Sequence, residues 1–260
     1  MTRIDRIRAF VAAFVICRKK TQGTQKREQL PIGSAFSCRI PKSKITNPKS
    51  SWACPLAVRS GLPDRRAYLR MNGGGFSRRQ MFRISKDNPA FYLTAVTKDR
   101  LPIFRTEALA RVACEALAEA RKSGKFLTFA YILMPDHFHL VTDSRVESKE
   151  VLRFTKGICG RRIVDHLRKN GHADSLGKLR VDQRTDGSEY EVWQRHSNIR
   201  LLWNEEMLWQ RIQYTHLNSV RAGLVHHPNE WQWSSARIWH GRALENEPFD
   251  VDRSKIEWHR

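Results

Sequence analysis

Long apolar runs are scarce in this chain. The one near its start, Ala9 to Cys17, is too short to span a bilayer core of ~30 Å, so no membrane partner is expected. It follows basic residues in the manner of a signal-peptide core, yet Arg18-Lys19-Lys20 comes next and no small-residue cleavage site is evident. Cysteine is present without a pattern. The five, at 17, 38, 54, 114 and 159, are odd in number and contain no Cys-x-x-Cys pair. That argues against a disulfide framework and a zinc–thiolate site, and predicts reduced thiols in a cytoplasmic protein. A glycine-rich phosphate loop is missing too, because Gly73-Gly74-Gly75 lacks the Lys-Ser/Thr that such a loop needs. No internal repeat is found. Acidic residues are sparse, 26 against 47 Lys and Arg, for a net charge of +21.

That charge is uneven. Residues 1–70 hold 16 Lys/Arg and 3 Asp/Glu, and residues 71–260 hold 31 and 23, so the two stretches carry +13 and +8. The first stretch shows no sustained hydrophobic period, which predicts a basic, disordered leader over 1–75. Met71 and Met81 are alternative starts. A single domain is expected over 76–245, with a tail over 246–260. A +8 domain suits a polyanion, most simply nucleic acid, although solubility alone would also account for it.

Within the domain, Phe91 to Thr97 is rich in aromatic and β-branched residues and predicts a strand. Thr106 to Ser123 carries apolar residues at helical spacing, with Gly124 as its stop. Phe126 to Met134 and His137 to Asp143 read as two strands joined by a hairpin at Pro135-Asp136. Glu147 to Lys169 predicts a second helix, basic on one side through Arg153, Lys156, Arg161, Arg162 and Arg168. Asn170 to Glu189 is polar and reads as an irregular loop, Tyr190 to Trp193 as a short strand, and Glu205 to Ala222 as a third helix capped by Gly223. Trp231, Trp233 and Trp239 are expected in the core.

The chemistry centres on Tyr131 to Asp143, YILMPDHFHLVTD. Residues two apart on a strand share a face, so His137 and His139 look one way while Phe138 and Leu140 look into a core. Two imidazoles on one rigid strand supply most of a divalent-metal site. The plainer alternative is a pair of surface histidines at a strand end. On the third helix Tyr214 and Asn218 are four apart and stack on one face. Asn218 can offer an amide oxygen to Mg²⁺ or Mn²⁺. Tyr214 offers a phenol, which becomes a competent nucleophile when a metal polarises its electrophile. Taken alone, Tyr214 would read as a half-buried helix residue.

YILMPDHFHLV, then Trp193-Gln194, QYTHLNSVRAGLV and WQWSSAR together resemble the single-strand tyrosine transposases of insertion sequences, most closely the REP-associated tyrosine transposases. The resemblance covers roughly residues 80–240. It matches His137, Phe138 and His139 to the histidine–hydrophobic–histidine motif, Tyr214 to the nucleophile, Asn218 to the asparagine of the same run and Trp231 to Ser235 to the W-x-W-S-S tail. Ser219 departs from it, standing where that family usually has proline.

The resemblance implies an α+β fold of the ferredoxin-like, RRM-like kind: an antiparallel sheet of about four strands, helices packed on one face, the H-x-H strand central and the Tyr214 helix across the open face. It implies a metal-dependent transposase that cleaves and rejoins hairpin-bearing single-stranded DNA through a 5′-phosphotyrosine. His137, His139 and Asn218 would hold Mg²⁺ or Mn²⁺. Arg153, Lys156, Arg161, Arg162, Arg195, Arg211 and Arg221 are candidate DNA contacts. A bacterial, nucleoid-associated monomer or homodimer is expected. The alternatives are a domesticated DNA-binding protein that does not cleave, and a metal-dependent RNA nuclease.

Overall fold

The computed structural model describes residues 81–181 and 189–258. The leader expected over 1–75, with Met71, lies outside them. The order is β1 (Ala90–Val96), α1 (Glu107–Gly124), β2 (Thr128–Met134), β3 (His137–Thr142), α2 (Ser148–Lys169), α3 (Ala173–Leu179), β4 (Asn198–Leu202), α4 (Glu205–Arg221) and α5 (Ala236–Trp239). The fold is α+β, with one four-stranded antiparallel sheet in the order β2-β3-β1-β4. The histidine strand β3 is therefore interior, as expected.

Register sorts the side chains. Leu93 pairs with Leu140 and Ala95 with Phe138, so these share one face. Thr94 pairs with His139, and Tyr92 with Val141, on the other. The first face is the main core. Phe138 meets the Trp193 ring at 5.2 Å, and Trp193 is tied to α2 by its Nε1–H to the Lys156 carbonyl at 2.9 Å. Helices α1 and α2 pack on each other there, α1 presenting small residues, Ala110, Ala113, Cys114 and Ala116, that let its neighbour come close. Helix α4 lies across the second face, against β2, β3 and β4.

Helix ends follow local chemistry. The Thr106 hydroxyl caps α1 by accepting from Leu109 N–H, and the Asn204 side chain caps α4 by accepting from Met207 N–H at 2.8 Å. Gly223, at φ 67°, closes α4 in a Schellman turn: its N–H donates to Val220, and Leu224 N–H donates to Ser219. Gly124 acts differently from the expected stop. It is the last residue of α1, and the left-handed position belongs to Lys125 at φ 54°. A Cβ on Gly124 would lie 2.8 Å from the Phe126 ring and 2.9 Å from Phe154, so close packing requires the glycine.

Two further expectations are corrected. Tyr190 to Trp193 forms only isolated bridges, to Arg180 and Thr97, because Trp193 is drawn beneath Phe138 and Phe104. The fourth strand is Asn198–Leu202 instead. The loop expected over 170–189 contains α3, anchored by the buried Leu179. The tail joins the core as well, since Phe249, Val251 and Ile256 are buried and Asp252 accepts from Thr128 N–H at 3.1 Å. No helix among the described residues is long and apolar enough to cross a membrane.

The W-Q-W-S-S segment seals one sheet edge. Leu133 N–H donates to the Trp233 carbonyl at 2.8 Å, Ser235 N–H to Tyr131 at 3.0 Å, and Tyr131 N–H to Ser235 Oγ at 3.0 Å. Unpaired β2 groups would otherwise face solvent. Trp233 and Trp239 are buried as expected. Trp231 is partly covered, and its Nε1–H donates to the Leu133 carbonyl at 2.9 Å.

Candidate active site

On the second face the two histidine rings meet edge to face, 4.9 Å between centroids. Each is fixed through Nδ1. His137 Nδ1 lies 2.6 Å from Asp136 Oδ1, and the other carboxylate oxygen takes a bond from Arg100 at 3.0 Å. Burial works against the Asp136 charge, but His137 and Arg100 outweigh it and hold the carboxyl below its ordinary range. His139 Nδ1 lies 2.8 Å from both Tyr92 Oη and Thr94 Oγ1. Burial, with His137 and Arg211 nearby, pushes His139 down to about 3, so it is a neutral imidazole at pH 7. The tautomer that donates from Nδ1 leaves Nε2 with a free lone pair on each ring, as a metal ligand requires.

Arg211, Tyr214, Asn218 and Arg221 fall on one stripe of α4 at spacings of three and four. The Tyr214 ring meets His139 edge-on at 6.0 Å and Tyr92 at 6.2 Å. Arg221 stacks on Tyr214 at 4.7 Å, and Arg211 lies 5.5 Å from the same ring. One turn on, the Asn218 amide nitrogen donates to the Tyr214 carbonyl at 2.8 Å, which leaves its oxygen to bind elsewhere. Ser219 is fully buried, and its hydroxyl has no partner among the described residues.

Among the described residues no three His, Cys, Asp or Glu side chains form a metal cage. The histidine pair therefore needs a donor of another kind. Mg²⁺ and Mn²⁺ prefer oxygen donors and tolerate imidazole, so two imidazole nitrogens and an amide oxygen are a donor set compatible with such an ion.

The candidate DNA contacts divide. Arg211 and Arg221 flank Tyr214. Arg153, Lys156, Arg161 and Arg162 lie on α2, across the sheet from the histidines. Arg153 pairs with Glu150 and Arg162 with Glu119, both at 2.6 Å, and Lys156 bonds the Gln194 carbonyl at 2.7 Å. Arg195 and Arg161 line a cavity of about 600 Å³ beside α2. Asp165, Glu189 and Glu191 share that lining, so its charge is nearly balanced.

Sequence reasoning missed Tyr92, Thr94, Asp136 and Arg100. Asp136 was visible as the carboxylate beside the first histidine. Tyr92 and Thr94 were not, because only the β1–β3 register brings them to His139.

No family model matches the chain, and no curated protein matches it. Among solved structures it is similar to a REP-associated tyrosine transposase bound to a REP hairpin, at 15% identity and a TM-score of 0.43, over 64% of this chain and 87% of that one. It is also similar to a candidate transposase from Deinococcus radiodurans R1, at 17% identity and a TM-score of 0.34, over 49% of this chain and 88% of that one.

Proposed function

We propose that this protein is a transposase-type enzyme that cleaves and rejoins hairpin-bearing single-stranded DNA through a covalent bond to Tyr214. The observation that carries the reading is the packing of the Tyr214 ring on His139, 6.0 Å apart, which brings a potential nucleophile to a pair of oriented imidazoles. The motif resemblance supports the same roles.

His137 and His139, through Nε2, and Asn218, through Oδ1, would hold Mg²⁺ or Mn²⁺. Bound there, the ion would polarise the scissile phosphate and neutralise charge that develops on it. Tyr214 Oη attacks phosphorus, giving up its proton, while the bond to the 3′-oxygen breaks and that oxygen leaves as a hydroxyl. A 5′-phosphotyrosine results. Phosphodiester energy is kept in that bond, so a 3′-hydroxyl can later attack it and rejoin the strand. Arg211 and Arg221, beside the ring, suit the backbone of the strand on either side. Their placement is the support for them.

Hairpin-bearing single strands incubated with the protein and Mn²⁺ should yield a covalent adduct on denaturing electrophoresis. Binding without an adduct would favour the DNA-binding protein that does not cleave. Cleavage of RNA without an adduct would favour the nuclease.

A further inference from the structure

Arg200 stands outside every motif noted above, yet the fold brings it to the site. In the β1–β4 ladder it lies directly opposite Tyr92, and residues paired in this way share a face. Tyr92 is the buried floor of the site, stacked on His139 at 5.2 Å. Above that floor, Arg211 sits 5.4 Å from the Tyr92 ring and 5.5 Å from Tyr214. Arg221 lies over the other side of the cluster, 4.7 Å from the Tyr214 ring, so three arginines come from β4 and α4 to the face that holds both tyrosines.

None of the three forms an ion pair among the described residues. Arg100, Arg145, Arg153, Arg162 and Arg237 each have a carboxylate partner. Gathered cations without a counter-charge repel one another, and a polyanion laid across them removes that cost. The sheet also has a direction of access. Its β2 edge is sealed by Trp233 to Ser235, while among the described residues β4 has no further strand beside it and Arg200 is exposed there.

We propose that Arg200 and Arg211 form a second phosphate subsite, next to the scissile phosphate, for a single strand that reaches Tyr214 over the β4 edge. The proposal rests on the DNA reading of the same site. Arginine suits the role, since its planar fork can hold two phosphate oxygens at once.

The test uses Tyr214→Phe protein, which cannot form the adduct, and hairpin-bearing single strands with one neutral methylphosphonate at successive positions. Adding Arg200→Gln should weaken binding to the unmodified strand about tenfold at low salt, the scale of one charged hydrogen bond. It should also make the slope of log K against log salt shallower by about 0.7, the value for one phosphate on a single strand. One methylphosphonate position should weaken the Arg200 protein and leave the Arg200→Gln protein unaffected. An unchanged slope, or a methylphosphonate profile that ignores Arg200, overturns the subsite. If the wild-type protein then still forms its adduct, the enzymatic reading survives. If no adduct forms in the wild type but the Arg200 effects appear, the enzymatic reading fails and the subsite stands. Absence of any binding sinks both.

Discussion

His216 Nε2 lies 2.9 Å from Ser235 Oγ, and this contact ties α4, the helix that carries Tyr214, to the sealed edge of the sheet. His216 is fully buried two residues beyond Tyr214, on the α4 side turned away from solvent. Burial, with His240 adding, pushes it down to about 3, so the link is made by a neutral ring. Ser235 also accepts from Tyr131 N–H. One hydroxyl therefore joins α4 to the middle of β2.

Ser235→Ala should leave both the His216 ring and the Tyr131 amide without a partner. Each buried orphan costs about 1–3 kcal/mol, so a loss of roughly 2–6 kcal/mol is expected. Urea denaturation should show a lower midpoint at unchanged slope. An unchanged midpoint would mean that water replaces the hydroxyl at no cost.

Two glycines should respond with opposite sign. Gly124→Ala would force a Cβ to within 2.8 Å of Phe126 and 2.9 Å of Phe154, and should cost about 1–3 kcal/mol as overpacking. Gly157, inside α2, has nothing within 4 Å of its would-be Cβ. Gly157→Ala should gain about 0.5–1 kcal/mol from helix propensity. Thermal melts of the two variants check both signs.

Much of the fold was legible because long periodic segments, the hairpin and the Gly223 cap are written locally. The error at Tyr190 to Trp193 arose because a short apolar run signals burial, not a ladder. Trp193 is buried by packing under Phe138, whereas the half-exposed Asn198–Leu202 supplies the actual edge strand. The histidine pair and the Tyr214–Asn218 stripe could be read from periodicity. Their supports, Tyr92 and Thr94, depend on pairing between segments far apart in the chain, and so does the approach of Arg200.

Asp143 gives a pH signature. Burial, partly offset by the Leu127 N–H and Arg145, raises its carboxyl from 3.8 to about 6. A carboxyl raised on folding binds its proton more tightly in the folded state. Its contribution is therefore favourable below about pH 4 and is lost as pH rises through 6. Asp143→Asn removes that loss but also an ion pair with a half-exposed arginine, worth about 1 kcal/mol or less. The variant should match the wild type near pH 4 and exceed it by about 1–2 kcal/mol at pH 8. A constant difference across that range would contradict the assignment.

The proposed metal ligands can be separated from their support. His137→Ala and His139→Ala should each abolish cleavage while hairpin binding stays largely intact, since backbone and base contacts carry binding. Asp136→Ala, which frees the His137 ring, should weaken Mn²⁺ binding about 10–100-fold, the range for a lost outer-shell partner. Parallel loss of DNA binding and cleavage in the histidine variants would assign the pair a structural role.

Mass spectrometry of the trapped DNA adduct tests the central claim most directly. Wild-type protein should carry a 5′-phosphate on the peptide containing Tyr214. Tyr214→Phe, which keeps the ring and its contacts with His139 and Arg221, should fold, bind hairpin DNA and carry none. A 5′-phosphate on Tyr131 or Tyr190 would move the nucleophile, and strand cleavage with no modified tyrosine would contradict the reaction itself.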